Sequence, residues 1–165
     1  MHIKELRDCD LRNGDGIRVS IWFAGCEHRC PGCHNPETWE DEGESFDDYR
    51  EKLCELVSRP EIQGITLTGG DPLFSKNRNE MRDFIISFKE QFPTKDIWCY
   101  TGYVFEKLLE DETAKELLPY IDVLVDGPYI ENLRDVDLHW RGSSNQRVID
   151  VKTSLDSGKT VLFCS

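Results

Sequence analysis

The chain has 165 residues, enough for one domain that buries its own core without help from disulfides. Its 32 acidic and 20 basic residues give a net charge of −12, which repels phosphate backbones, and no run of Lys and Arg offsets this, so nucleic acid is not expected as a partner. No apolar run reaches the ~18 residues of a membrane helix, and Met1-His2-Ile3-Lys4-Glu5 lacks the apolar centre of a signal peptide, so the expectation is a cytoplasmic protein without membrane contact.

The first predicted strand covers 16–23, where Ile17, Val19, Ile21 and Phe23 alternate. A loop over 25–36 follows, and the acidic stretch 40–44 reads as exposed. Phe46, Tyr49, Leu53, Leu56 and Val57 recur at helical spacing over 46–57, with Ser45 as N-cap and Asp48 three residues on. A short strand over 62–68 ends in Gly69-Gly70-Asp71-Pro72. A helix over 77–92 carries Met81, Phe84, Ile85 and Phe88 on one face. Residues 96–101 form the next strand and 105–118 a helix that Pro119 ends. An apolar strand over 122–125 runs into Asp126-Gly127-Pro128. The last segment reads as two strands, 147–151 and 160–164, joined by a loop containing Asp156-Ser157-Gly158. Strands alternating with helices imply a parallel sheet of βαβ units. In such sheets ligands bind beyond the carboxyl ends of the strands. The loop at 25–36, Gly69-Gly70, Thr101-Gly102 and Asp126-Gly127 all follow strands and are expected on one rim.

Seven cysteines cannot form a complete disulfide set, and in a reducing compartment clustered cysteines point to metal or catalysis. Cys26, Cys30 and Cys33 are clustered as C-x3-C-x2-C. Cys9, Cys54, Cys99 and Cys164 are scattered and receive no role, and His2 and His139 read as surface residues. Thiolates are soft ligands for iron–sulfur clusters and zinc. Three cysteines on a four-iron cubane leave one iron open to a substrate. The competing reading is zinc held by the same cysteines with His28 or His34, or a redox-sensing disulfide, which makes the chain a binding module. A second pair of knuckle ligands, usual in structural zinc sites, is not visible.

C-x3-C-x2-C after a first strand resembles the radical S-adenosylmethionine superfamily. Cys30-Pro31-Gly32-Cys33 with Asn35, Ile97 to Tyr103, Asp122 to Gly127, Trp140 to Arg147 and the short length are similar to the activating enzymes of anaerobic ribonucleotide reductase. The resemblance covers about residues 10–147 of a single domain over 1–165, leaving 148–165 as an unmatched extension. It implies an open, partial βα barrel of mostly parallel strands, here followed by a C-terminal β-hairpin. It also implies one [4Fe–4S] cluster on Cys26, Cys30 and Cys33, whose open iron takes the amino and carboxylate groups of S-adenosylmethionine. Gly32, Cys33, His34, Asn35, Gly69, Gly70, Asp71, Thr101 and Asp126 are the implied contacts for S-adenosylmethionine. Three positions depart from the usual pattern: Asp71 ends a turn that commonly ends in Glu, Asp15 stands in place of Pro, and His34 in place of Tyr.

The implied reaction starts with one electron from flavodoxin or a ferredoxin-type reductant. The sulfonium C5′–S bond breaks, leaving methionine and a 5′-deoxyadenosyl radical, which takes a hydrogen atom from a glycine of the reductase's large subunit. The cofactor carries this chemistry, so no general base is required. A different glycyl-radical enzyme or a small molecule is the alternative substrate. Trp140 to Arg147, rich in hydrogen-bond donors, is either an exposed polar loop or a contact for substrate or partner.

Overall fold

A computed structural model describes residues 1–163; Cys164, placed in the second strand of the expected hairpin, lies outside the described residues. Seven strands form one sheet: β1 (His2–Asp10), β2 (Arg18–Phe23), β3 (Glu44–Ser45), β4 (Gly64–Gly69), β5 (Asp96–Tyr100), β6 (Val123–Asp126) and β7 (Arg147–Asp150). Their order is β3-β1-β2-β4-β5-β6-β7. The central four, β2, β4, β5 and β6, are parallel, while β1, β3 and β7 pair antiparallel at the two sides. The sheet is open, so the architecture is mixed α/β around a parallel centre rather than a closed barrel.

The alternation of side chains assigns the two faces. Val19, Ile21 and Phe23, Ile65 and Leu67, Ile97 and Cys99, and Leu124 belong to the main core. The helices α1 (Arg50–Val57), α2 (Arg78–Gln91), α3 (Phe105–Leu108) and α4 (Glu112–Leu117) add Leu53, Phe84, Phe105 and Leu117 to that core. The intervening positions are Arg18, Ser20 and Trp22, Thr66 and Thr68, and Trp98 and Tyr100. These line the other face, which carries a smaller apolar cluster of Trp98, Val123, Val125 and Val148 with Trp140 and Phe163 packed against it. The sheet therefore has one oily face against helices and one polar–aromatic face.

Three expectations are corrected. The helix over 105–118 is two short helices, because Asp111 accepts a hydrogen bond from Ala114 N at 2.8 Å and caps α4. Such a cap contributes about 1 kcal/mol and starts a new helix inside the apolar run. Ser45 precedes a 3-10 turn, Phe46–Tyr49, without a side-chain capping bond. The joined strands at the C-terminus are not a hairpin. Between them lies α5 (Val151–Ser157), capped by Asp150 through Thr153 N at 2.9 Å and closed by left-handed Gly158. Leu162 still returns to bridge Ile149 antiparallel.

Candidate functional site

The carboxyl ends of β2, β4 and β5 open into a cavity of about 440 Å³, within the usual size of a small-ligand site. Cys26, Cys30, Cys33, His34, Asn35, Gly69, Gly70 and Thr101, all expected from sequence, line it. So do Trp140, Arg141, Gly142 and Gln146 from the polar stretch near the C-terminus.

Backbone bonds fasten the cysteine loop to the sheet. Gly25 N donates to Thr38 O at 2.8 Å, and Cys26 N to Trp39 O at 3.0 Å. Asp71 N donates to Gly25 O at 2.9 Å, joining the loop to the turn after β4. Cys33 N closes a turn on Cys30 O at 3.0 Å, and Asn35 N donates to Cys33 Sγ at 3.4 Å. An N–H aimed at a ligand sulfur tunes any iron it binds. Burial pushes the Cys26 thiol up to about 11 and raises Cys30 as well, so ligand binding there must displace protons.

The turn after β4 brings backbones together. Gly69 has φ +99°, and a Cβ on it would stand 2.6 Å from Phe23 O. A Cβ on Gly70 would stand 2.5 Å from Gly25 O and 2.8 Å from Thr38 O. Gly69→Ala is therefore expected to cost at least about 2 kcal/mol, from backbone strain and a contact that no side chain can relieve. A urea titration checks this.

Three expected contacts stand behind the cavity wall rather than on it. Asp71 is 1% exposed and its carboxylate is fully engaged. It accepts from Leu73 N at 2.8 Å, Thr101 Oγ1 at 3.0 Å, Gly102 N at 2.9 Å and His28 Nε2 at 2.8 Å. A free acceptor for an ammonium group is thus replaced by a post that holds its neighbours. The bond to Asp71 raises the His28 pKa above the ordinary imidazole value. Asp126, also 1% exposed, accepts from Phe105 N at 2.8 Å and from Arg147 Nε at 3.0 Å. It fixes α3 and β7. Gly32 turns the loop at φ +75° beside Glu131.

Sequence reasoning missed part of the wall: Arg12, Asn13, Trp22, Trp39, Tyr100 and Tyr129. Trp22 and Tyr100 were legible in principle, since they are the next-to-last and last residues of their strands, each one pleat away from a core residue. Among the described residues no Asp or Glu lines the cavity, while Arg12, Arg141, His28 and His34 do. In a chain of net charge −12 this wall favours anionic or acceptor-rich groups. Trp22 Nε1, Trp39 Nε1 and Tyr100 Oη are buried without a hydrogen-bond partner. Each unpaired group costs roughly 1–3 kcal/mol, which a ligand bearing acceptors would relieve. Three thiols, donor-rich walls and closely approached backbone fit an iron–sulfur cluster with an adjacent polar ligand. Zinc fits less well in one respect: His28, one of the two histidines offered as its fourth ligand, is turned to Asp71.

Residues 12–149 match the family model described as a 4Fe-4S single cluster domain. The chain is 44% identical over 150 residues to the anaerobic ribonucleoside-triphosphate reductase-activating protein of Enterobacteria phage T4, covering 90% of this chain and 93% of that protein. The protein of the same name from Haemophilus influenzae is 43% identical over 83% of this chain and 90% of its own length. That of Escherichia coli K12 is 38% identical over 90% and 97%.

Proposed function

The chain belongs to the family of anaerobic ribonucleoside-triphosphate reductase-activating proteins, and from that premise we propose that it is a radical S-adenosylmethionine enzyme that installs a glycyl radical on an anaerobic ribonucleotide reductase. The observation carrying this reading is that Cys26, Cys30 and Cys33 open onto the same cavity as Gly69, Gly70 and Thr101.

When bound, the [4Fe–4S] cluster supplies the electron that cleaves S-adenosylmethionine into methionine and the radical that takes hydrogen from the reductase's glycine. Cys26, Cys30 and Cys33 hold the cluster as thiolates. Gly69 and Gly70 offer close backbone for the methionine end, with Thr101 beside them, positioned through Asp71. His34 and Asn35 flank the adenine side, and His34 has the exposed ring that such a contact needs. Its ring centroid lies 5.4 Å from that of Tyr129. Asp126 acts at a distance, by holding Arg147 and α3. Leu138 and Trp140 add apolar wall to the cavity, which a glycine-bearing segment of the partner has to reach. A flavodoxin or ferredoxin-type protein supplies the electron, and the cytoplasm supplies the reducing setting. No helix among the described residues is long and apolar enough to cross a membrane.

The test is anaerobic reconstitution with iron and sulfide, then reduction with dithionite in the presence of S-adenosylmethionine. About four irons per chain and 5′-deoxyadenosine are expected, followed by a glycyl-radical resonance when purified anaerobic reductase is added. Bound zinc without sulfide, and no cleavage, would overturn the reading.

A further inference from the structure

His28 lies midway between the first two cysteines, on a loop whose next residue, Arg29, has φ +44°. A non-glycine residue in that region is strained and persists only when its surroundings hold it. Arg29's own side chain pairs with exposed Glu40 and lies 5.9 Å from the Trp39 ring, and reaches neither of the neighbouring strand ends. The neighbour that is anchored is His28. Its Nε2 donates to Asp71 Oδ2 at 2.8 Å. Its ring meets Tyr103 edge-on, with centroids 4.5 Å apart and planes at 73°. Tyr103 in turn lies under the Arg78 guanidinium at 4.8 Å. Arg78 is buried and tied to Leu73 O at 2.9 Å and to Asp111 at 2.7 Å. Gly102 leaves the space for the imidazole, because a Cβ there would stand 2.4 Å from the His28 ring.

Each group in this stack comes from a different part of the rim. Asp71 belongs to the turn after β4, and Gly102 and Tyr103 to the turn after β5. Arg78 opens α2 and Asp111 caps α4. His28 is thus the one side chain of the C-x3-C span that links the cysteine loop to both neighbouring strand ends by hydrogen bond and ring contact.

We propose that His28, clamped by Asp71, Gly102 and Tyr103, is a positioning residue that holds the strained Cys26–Cys30 segment in its cluster-binding shape before iron arrives. This rests on the cluster reading of the same loop. Iron assembly then begins from an ordered loop, and the ordering cost is met during folding rather than at metal binding. Asp71 retains three other donors when His28 is replaced, so the rim itself stays intact.

Two variants separate positioning from mere packing. His28→Phe keeps a ring against Tyr103 and removes the donor. His28→Gln restores an N–H donor at similar reach. In the iron-free protein, amide hydrogen exchange over residues 26–33 is expected to quicken about ten-fold in His28→Phe, with the melting temperature near that of wild type. His28→Gln is expected to recover most of that protection. After reconstitution, His28→Phe should hold less than half the wild-type iron and sulfide and show a shifted electron paramagnetic resonance spectrum for the cluster it retains. Loop exchange and iron content equal to wild type in His28→Phe would overturn the proposal. So would His28→Gln behaving like His28→Phe. The exchange measurement needs no iron, so it stands apart from the cluster reading, which fails if the wild type itself takes up zinc in place of iron and sulfide.

Discussion

Replacing Cys30 with alanine should leave the chain folded and remove its iron. Cys30 belongs to the loop beyond β2, and the core that holds the sheet lies on the helix-covered face, built from residues such as Ile21, Leu67 and Phe84. Truncating a loop thiol opens no cavity in that core, so the denaturation midpoint of the iron-free chain should move little. The metal site responds differently. Even outer partners of a metal ligand typically cost about 10–100-fold in affinity when mutated, and Cys30 is read as one of only three protein ligands. Iron should fall from about four per chain to well below one, and 5′-deoxyadenosine to the level without protein. Cys54→Ser is the control, since Cys54 sits on α1, outside the cavity. It should keep full iron. Equal iron in Cys30→Ala and wild type would remove the cluster from this loop.

What sequence made legible, and what it hid, follows from how each element meets water. The parallel centre could be read because β2, β4, β5 and β6 are short apolar or alternating runs, two of them ending in Gly or Asp. The rim was readable for the same reason, since punctuation after a parallel strand marks its carboxyl end. β1 was not recognised. Its sequence, HIKELRDCD, is mostly charged, its register is broken twice, and only Ile3 and Asp10 are buried along it. A strand of this kind, covered on its outer side only by the two-residue β3, has no period to detect. The C-terminal segment misled in the opposite way. The strand expected at 147–151 is there as β7, Arg147–Asp150, but the Asp150 cap and the Gly158 stop make a helix of 151–157 where a loop was expected. Asp71 and Asp126 were found as residues but not in their roles. A carboxylate after a strand reads the same whether it faces a ligand or the protein's own N–H groups. Only the bonds to Thr101, Gly102 and His28 decide it.

The polar face of the sheet hides the second large effect. Arg18 is fully buried, at the start of a strand whose other positions are apolar or small. Its guanidinium donates to Thr66 Oγ1 at 2.8 Å, Ile65 O at 2.7 Å and Asp15 O at 2.9 Å, pairs with Asp96, and lies 5.4 Å from the Trp98 ring. Asp96 supplies the countercharge, and burial keeps its carboxyl above the ordinary carboxylate range despite Arg18. Removing one partner of such a pair strands a charge in the interior, which typically costs about 3–5 kcal/mol. Asp96→Ala should cost about 3 kcal/mol, the lower end, because the carboxylate is 29% exposed and water reaches it. That is a large share of a domain's total of about 5–15 kcal/mol. Arg18→Met should cost less, since it removes the charge together with its need for a partner. Thr66 Oγ1 also donates to Asn13 O at 2.6 Å, so the same network pins the loop that carries Arg12 and Asn13 over the cavity. Guanidinium denaturation of Asp96→Ala, Arg18→Met and the double variant measures the coupling. If Asp96→Ala proves no worse than Arg18→Met, the buried charge is not what the pair satisfies, and the loop over the cavity owes its place to packing against Trp98 instead.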